Sequence, residues 1–302
     1  MLKTQEIADK YGITRQTLNN WMQKGIISQP RKNNRSAYEW EEENEKEIVR
    51  VISEEIPAKY YVSNNETLKI GNRRYLGSKQ KMLDFILKTV SENIGSIDSV
   101  ADIFGGTGVV ADLFRKQNKK VIVNDILYSN FVSFQTWFSN EDVDIHKVSH
   151  IIDELNNLSP KKGYVSKNFG GAYFSEENAG KIDSIREEIE KYKSGNQREY
   201  FMLLTSLLYA MDKVANTVGH YDAYRKKMDS NKKIYLRVPE YNKNYCNKIY
   251  NEDANKLVKE IYADLVYIDT PYNSRGYENA YHVLENIAEW KKPDVEGVAK
   301  KA

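Results

Sequence analysis

The chain has 302 residues, a formal net charge of +2 and one cysteine, Cys246. That length can hold two or three domains, and the balanced charge by itself indicates no nucleic-acid partner. The single cysteine excludes an internal disulfide framework and fits a reducing compartment. No apolar stretch approaches the roughly 20 residues of a membrane span, and residues 1–6 lack the apolar stretch that a signal peptide would have. We therefore expect a cytoplasmic protein without a membrane partner.

The first 57 residues predict a small all-α domain. Thr4 and Thr14 are placed to cap helices over 5–10 and 15–24, and Gly25 is placed to end the second helix. Two short helices around a glycine-bearing turn form a helix-turn-helix, and an ordinary helical hairpin is the alternative. The small core of this domain would consist of Ile7, Ala8, Ile13, Leu18 and Trp21.

The outer face of the second helix carries polar side chains of the types that hydrogen-bond base edges and phosphates. They are Arg15, Gln16, Asn19 and Asn20. The continuation over 25–38 resembles the N-terminal part of MerR-type helix-turn-helix domains, with a basic wing of Arg31, Lys32 and Arg35. An acidic helix over 39–51 follows, and we expect residues 58–69 to form a linker.

Strands and helices alternate from about residue 70 to residue 302, which predicts an α/β domain. The clearest βαβ unit has a strand over 99–104, a helix over 109–117 and a strand over 119–123. A mostly helical region from about 131 to 241 follows. Two further strands are predicted to end at Asp253 and Ile268.

A glycine turn joins the first strand to its helix. Glycines at this position let the backbone approach a ligand, and the helix N-terminus then points at it. About 20 residues later Asp125 ends the next strand, where a carboxylate can accept hydrogen bonds from ribose hydroxyls. The turn lacks the G-x-G-x-x-G and G-K-[ST] patterns, which disfavours nicotinamide and nucleoside-triphosphate ligands. An adenosine-type cofactor is the prediction.

Two charged residues outside this unit have two interpretations each. Lys79 lies in the first turn of a predicted helix, which is unfavourable for the helix dipole and indicates an anionic partner such as the carboxylate of an amino-acid-bearing cofactor. A surface lysine is the alternative. Asp253 can accept a hydrogen bond from an adenine amino group, or it is a solvated acid in a turn.

Asp269-Thr270-Pro271-Tyr272 follows the apolar run 263–268, which predicts a buried strand delivering polar groups into a crevice. Such a site suits a flat, amino-bearing ring. Asp269 and the carbonyl of residue 270 can each accept one amino hydrogen, which frees the nitrogen lone pair to attack a methyl group. Tyr272 can stack on the ring. The four histidines have no metal-ligand spacing, so no metal is expected.

Three motifs occur in a familiar order: Tyr75-Leu76-Gly77-Ser78-Lys79, Asp102-x-Phe104-x-Gly106-Thr107-Gly108 and Asp269-Thr270-Pro271-Tyr272. This order resembles the D12-class (alpha-group) DNA adenine-N6 methyltransferases. The resemblance implies a Rossmann-like sheet, S-adenosyl-L-methionine as cofactor and double-stranded DNA as substrate. It places Tyr75 and Lys79 at the methionine end of the cofactor, Asp125 at its ribose and Asp253 at its adenine. The implied cofactor site also includes Asp102, Phe104, Gly106, Gly108 and Asp269.

The resemblance further implies that a helical insert over about 135–245 recognises the target. Within it, residues 216–224 are similar to a segment of methyltransferases from type IIS restriction–modification systems, so a cognate restriction endonuclease is an expected partner. The predicted DNA contacts of the insert are Asn216, His220, Tyr221, Arg225 and Lys226. The basic residues of the insert, Arg225-Lys226-Lys227, Lys232-Lys233 and Arg237, are interleaved with Tyr221, Tyr224 and Tyr235. Basic side chains can contact phosphates and aromatic rings can wedge or stack, and a solvated charged loop is the alternative.

Two features depart from the family pattern. Thr270 stands where the family has proline, which keeps the carbonyl but loses the fixed φ and predicts reduced activity. The sequence also shows four strands, fewer than the family's sheet, so we expect a C-terminally incomplete sheet, from a fragment or from a split enzyme that a second polypeptide or domain completes. The rival functions are a DNA-binding protein with a degenerate methyltransferase domain, and methylation of a small molecule, protein glutamine or RNA.

Overall fold

The computed structural model describes residues 3–11, 15–23, 25–33, 38–53, 67–228, 232–271 and 277–301, without the side chains of Arg50, Ile52, Ser53 and Glu278. The chain forms two compact units, Met1–Glu66 and Thr67–Ala302. Within the described ranges, no helix has both the length and the apolar character needed to cross a membrane.

The first unit combines helices with a short β-ribbon. Its elements are α1 (Thr4–Lys10), α2 (Arg15–Gln23), β1 (Arg31–Lys32), β2 (Tyr38–Glu39) and α3 (Glu42–Ser53). β1 and β2 pair antiparallel, with Arg31 opposite Glu39. The prediction of an all-α domain was therefore wrong in this detail, because two-residue strands leave no alternating pattern in the sequence.

The core of the first unit forms around two tryptophans. Trp21 and Trp40 are buried together with Ile7, Ala8, Leu18, Met22, Ile27, Ile48 and Val51. Thr4 was predicted to cap α1, but Lys3 is the N-cap, and its N–H donates to Glu6 at 2.7 Å. The Thr4 hydroxyl instead accepts from Trp40 Nε1 at 3.2 Å. Thr14, Ile13 and Arg35 lie outside the described residues.

The second unit contains a parallel sheet flanked by helices. Its strands are β3 (Ser99–Asp102), β4 (Lys120–Asn124), β5 (Lys248–Tyr250) and β6 (Leu265–Tyr267). Its helices are α4 (Leu83–Asn93), α5 (Val109–Lys116), α6 (Tyr128–Phe138), α7 (Ile145–Asn157), α8 (Tyr164–Phe169), α9 (Glu176–Glu190), α10 (Gln197–Val214), α11 (Ala254–Leu257) and α12 (Tyr277–Glu289). This is the α/β class that the alternating pattern predicts.

The strand order is β5-β4-β3-β6, and all three pairings are parallel. The chain runs outward from β3 to β4 and β5, and then returns to place β6 on the other side of β3. Ligands bind at such a switch point, beyond the carboxyl ends of the strands, because the connections leave in opposite directions and open a crevice. Asp102 is in register with Tyr267, so Asp102 and Asp269 end neighbouring strands at this crevice.

β6 lies at one side of the described sheet. The run 263–268 was predicted to be a buried strand, yet Val266 is 37% exposed and Ile268 is 61% exposed. The apolar side chain of Phe85 on α4 is 64% exposed as well. β6 is thus an edge strand among the described residues, and its apolar side chains are only partly covered.

The helical region between β4 and β5 is shorter than predicted. Helices run from α6 to the end of α10 at Val214, and the described residues between there and β5 contain no helix. In this irregular part, residues 232–240 form an extended segment in which Ile234, Leu236 and Val238 are buried.

One buried amide joins three strand ends. Asn124, the last residue of β4, donates from Nδ2 to Ile103 O at 3.1 Å and to Glu252 O at 3.0 Å. Its Oδ1 accepts from Glu252 N at 2.9 Å. Because Ile103 follows β3 and Glu252 follows β5, this side chain holds the carboxyl edge of the sheet together.

We expect Asn124→Ala to lower the free energy of unfolding by about 2–4 kcal/mol, because it removes three hydrogen bonds and leaves buried backbone groups unpaired. Denaturant titration followed by circular dichroism measures this change. The matched control is Asn93→Ala, whose amide makes one exposed bond to Thr89 O and should change stability by less than about 0.5 kcal/mol. Equal losses in both variants would contradict the role assigned to Asn124.

Candidate active site

A concave pocket opens at the carboxyl edge of the sheet. The residues that line it come from the loop before α4, the β3–α5 turn, the end of β4, the start of α11, the end of β6 and α12. Of the predicted cofactor and catalytic residues, those at the pocket are Tyr75, Lys79, Asp102, Phe104, Gly106, Asp125, Asp269, Thr270 and Pro271. Segments far apart in sequence therefore meet at the crevice, and Tyr272 lies outside the described residues.

The β3–α5 turn forms one wall of the pocket. Gly106 has φ +53°, and its N–H donates to Asp125 Oδ2 at 2.8 Å. A Cβ at Gly106 would lie 3.0 Å from Tyr75 Cε1, so glycine permits the close approach of the two chain segments. Gly108, the N-cap of α5 at φ +78°, faces the core residues Phe134 and Phe138 and does not line the pocket.

Two buried carboxylates lie beside this turn. Asp125 accepts backbone hydrogen bonds from Gly106 and, through Oδ1, from Leu127 N at 2.9 Å. Asp102 is buried, and its Oδ1 has no hydrogen-bond partner among the described residues. Burial, with the nearby charges of Asp125 and Asp269, raises the pKa of Asp102 to about 7. Burial likewise raises the pKa of Asp125 to about 6, although its backbone donors oppose the shift.

An aromatic wall adjoins the turn: Tyr75 and Tyr277 line the pocket, and the buried Tyr281 packs against Tyr75. The rings of Tyr75 and Tyr281 stack with centroids 4.7 Å apart and an interplanar angle of 8°, and Tyr277 lies 5.9 Å from Tyr75. Tyr281 Oη accepts from Leu76 N at 2.8 Å. The sequence predicted a helix over 281–290, but α12 begins at Tyr277, so sequence reasoning missed the ring that this earlier turn adds to the pocket.

Lys79 and Asp269 form an ion pair within the pocket, and both side chains are mostly buried. Lys79 also donates to Gly77 O at 3.0 Å. It begins a short 3₁₀ turn, Lys79–Lys81, that precedes α4. Its anionic neighbour in this structure is therefore the carboxylate at the end of β6.

The pocket thus combines a glycine turn, two buried carboxylates and the Asp-Thr-Pro segment. The sequence profile described as D12 class N6 adenine-specific DNA methyltransferase matches residues 75–301. The chain belongs to this family.

Similar proteins carry consistent names. The modification methylase StsI of Streptococcus sanguinis is 37% identical over 247 residues, which cover 75% of this chain and 38% of the relative. The type II methyltransferase M.FokI of Planomicrobium okeanokoites is 34% identical over 251 residues, which cover 74% of this chain and 38% of the relative. M.NlaIII of Neisseria lactamica, also a type II methyltransferase, is 34% identical over 229 residues, which cover 71% of this chain and 68% of the relative. The chain spans well under half the length of the first two relatives.

One cofactor residue implied by the D12 pattern lies elsewhere. Asp253 is exposed and caps α11, where its Oδ1 accepts from Asn255 N at 2.8 Å. Its neighbours Glu252 and Ala254 line the pocket, and Asp253 does not. The structure therefore favours the alternative of a turn acid, and Glu252 is a lining residue that the sequence reasoning missed.

The predicted DNA contacts of this D12 chain fall into two groups. Asn216 and Tyr221 are buried, and both side chains donate hydrogen bonds within the fold: Asn216 Nδ2 donates to Ala172 O, and Tyr221 Oη donates to Asp212 at 2.9 Å. Their side chains are not presented to DNA in this structure. Arg225 and Lys226 are exposed, and His220 is partly exposed.

A buried polar network supports the aromatic wall. Arg73 donates to Asn130 Oδ1 at 2.6 Å, and Asn130 in turn donates to Tyr75 Oη at 3.2 Å. Arg73 Nε lies 3.8 Å from Asp212 Oδ2, and the same carboxylate accepts from Tyr221. Since a buried charge needs a partner, this arrangement explains why Tyr221 points inward.

The raised pKa values predict how stability depends on pH. An acid whose folded pKa lies above its unfolded value favours folding most at low pH, and this contribution is lost as pH rises through the folded pKa. The free energy of unfolding of the ligand-free protein should therefore fall between about pH 4 and pH 7. Asp102→Asn should reduce the fall by a few kcal/mol, since each pKa unit corresponds to about 1.4 kcal/mol.

Denaturant titrations at several pH values between 4 and 8 measure this slope. The control is Asp253→Asn, because hydrogen bonds from Asn255 lower the pKa of exposed Asp253 and leave it ionised from pH 6 to 8. That variant should keep the wild-type slope in this interval. An unchanged slope in Asp102→Asn would mean that Asp102 ionises normally in the fold.

Proposed function

We propose that the protein is a site-specific DNA adenine-N6 methyltransferase that transfers a methyl group from S-adenosyl-L-methionine to an extruded adenine. The observation that carries this proposal is the convergence of Asp269, Thr270 and the buried acids Asp102 and Asp125 at the switch point of the sheet. Membership of the D12 family supports the same chemistry.

The pocket residues fit the cofactor. The partnerless Oδ1 of Asp102 suits the ammonium of the methionine part, and Asp125 can accept from ribose hydroxyls with the lone pairs that its backbone donors leave. Phe104 and Tyr75 offer apolar surface, and Gly106 allows close backbone approach. S-adenosyl-L-methionine supplies an electrophilic methyl group on a sulfonium.

Asp269 and the Thr270 carbonyl activate the base. An adenine amino nitrogen is a weak nucleophile because its lone pair is delocalised into the ring. Two acceptors that bind its two hydrogens draw it towards a tetrahedral geometry and localise that lone pair. Lys79 holds the Asp269 carboxylate in place through their ion pair. The adenine must leave the duplex to reach this point, which costs a few kcal/mol and favours pockets that stack the base.

DNA binding is proposed for two surfaces. In the N-terminal unit, the helix-turn-helix hypothesis assigns recognition to α2, on which Arg15, Gln16 and Asn19 are exposed and Asn20 is partly exposed. In the second unit, the exposed pair Arg225 and Lys226 would contact phosphates. Binding of duplex DNA to a Gln16→Ala/Asn19→Ala variant tests the first surface, because unchanged sequence preference would remove α2 from recognition.

Two protein partners are proposed. The relatives are modification methylases and type II methyltransferases by name, so a restriction endonuclease that shares the recognition site would accompany this protein. Resistance of methylated DNA to that endonuclease is the test.

The exposed apolar residues Val266 and Ile268 at the β6 edge support a second polypeptide or domain that adds strands there. Full methylation activity of the chain as a monomer would refute this second partner.

The decisive assay follows labelled methyl transfer from S-adenosyl-L-methionine to random-sequence duplex DNA, with N6-methyladenine as the product measured by mass spectrometry. We expect Asp269→Asn to lower methyl transfer at least about 100-fold, because the amide loses the full negative charge that attracts the amino hydrogens. Cofactor binding, measured by calorimetry, should change much less. Methylation of cytosine, RNA or protein instead of adenine would overturn the proposal.

Thr270 provides a second, opposite prediction. We expect Thr270→Pro to raise methyl transfer several-fold, because proline fixes φ near the value that orients the carbonyl of residue 270. Single-turnover rates on the same DNA measure the gain. The control is Thr217→Pro, at a buried position outside the pocket, which should raise nothing. Equal rates for Thr270→Pro and the wild type would show that the turn is already oriented.

A further inference from the structure

A second concave site lies between α10 and the extended segment 232–240. This basic groove encloses about 250 Å³ and shares no lining residue with the methyl-transfer pocket. Four cationic side chains and an exposed tyrosine line it: Lys213, Lys232, Lys233, Arg237 and Tyr235. The concentration of one sign of charge around a concave surface is the first indication of an anionic ligand.

The extended segment is held by side chains rather than by a neighbouring strand. Asn178 of α9 donates to Lys232 O at 2.8 Å and accepts from Ile234 N at 2.9 Å. Asn156 of α7 makes the equivalent pair with Leu236, at 2.9 and 2.8 Å. Each amide therefore satisfies both backbone groups that a partner strand would have satisfied.

Ser206 of α10 completes the series: its hydroxyl donates to Arg237 O at 2.7 Å and accepts from Arg237 N at 3.1 Å. Further along the segment, the backbone of Leu68 makes two hydrogen bonds, one on each side of Pro239: its N–H donates to Val238 O, and its carbonyl accepts from Glu240 N. With its backbone fixed at this many points, the segment presents its outward side chains in a set order rather than as a solvated loop.

The alternation of the segment sends the apolar side chains inward and the cationic ones outward. Ile234, Leu236 and Val238 are at most 8% exposed, whereas Tyr235 is 61% exposed and its neighbours Lys233 and Arg237 are also exposed. Successive outward residues of an extended chain stand roughly 6–7 Å apart. The result is a rigid row of alternate side chains along one wall of the groove.

The opposite wall adds a cation from a helix. Lys213 of α10 donates to Asn72 O at 2.9 Å, which fixes its ammonium at the groove. Burial lowers the pKa of Lys213, and the positive charges of Arg74, Arg237 and Lys232 lower it further, against the opposing effect of Asp212. Lys233 is 3.0 Å from Glu177, and both of these side chains are largely exposed. Several cations thus face one volume from different elements.

We propose that the basic groove binds a phosphodiester segment of the DNA substrate outside the methyl-transfer pocket. This inference rests on the proposed function, because it takes DNA as the ligand. The Arg and Lys side chains neutralise phosphates. The exposed ring of Tyr235 can contact a sugar or a base, and this favours a nucleic acid over inorganic phosphate, which has neither. Contacts of this kind position a duplex without reading its sequence.

The test compares two double variants that remove the same charge. Lys213→Gln/Arg237→Gln alters the groove, and Lys88→Gln/Lys259→Gln alters exposed lysines elsewhere on the same unit. Affinity for a fluorescent duplex is measured by anisotropy from 50 to 300 mM salt. The groove variant should lose about tenfold in affinity, equally for unrelated sequences, and its slope of log affinity against log salt should fall by about 1–2.

The inference is overturned if the groove variant has the same slope of log affinity against log salt as the control variant. Adenosine monophosphate and inorganic phosphate are titrated in parallel, and an effect confined to these two ligands would overturn it as well.

Methylation assays on the same proteins separate the two proposals. If the wild type methylates adenine and the groove variant keeps the full salt slope, the groove assignment fails alone. If the wild type binds DNA through the groove but transfers no methyl group, the enzymatic function fails alone.

Discussion

The geometry of the pocket depends on the buried amide of Asn124. By bonding to the backbone after β3 and after β5, it fixes where three neighbouring strands end. The next residue, Asp125, then reaches the N–H of Gly106 and holds the glycine turn. Two consecutive side chains, one amide and one carboxylate, therefore set the floor and one wall of the cavity. A looser strand edge would move Asp102 relative to Asp269, and a site that acts through hydrogen-bond geometry tolerates little such movement.

The aromatic wall depends on the packing of segments that are distant in sequence. The stacked rings of Tyr75 and Tyr281 come from the two ends of the second unit. Tyr75 is held in position because Asn130 donates to its hydroxyl and Arg73 donates to Asn130. Glu285 of the same helix as Tyr281 accepts from Tyr128 N and Ser129 N, which ties α12 to the start of α6. The loops and turns that line the pocket are thus held by contacts to the helices and strands on which they are built, which favours a preorganised site.

Much of the site could be predicted because parallel strands bring their carboxyl ends to one edge. Asp102, Asp125 and Asp269 follow apolar runs, and the structure places all three at the pocket. The failures have a common physical origin in side-chain direction. Asp253 and Glu252 differ by one residue, yet only Glu252 lines the pocket. Tyr221 turns inward because its hydroxyl donates to Asp212, the ion-pair partner of the buried Arg73. Such long-range pairings leave no periodic signal in the sequence.

Helix α12 touches two regions with different tasks. Tyr277 and Tyr281 lie against the aromatic wall, and Ala280 O, between them in sequence, accepts from Tyr221 N at 2.7 Å. Tyr221 belongs to the segment 216–224, which was predicted to lie in a target-recognition insert. If the proposed cofactor and DNA each bind more tightly to one position of α12 than to another, their affinities are linked through this helix, and the change in affinity must be the same in both directions. Under the proposed function, sequence selection and retention of the methyl donor would then be a single equilibrium.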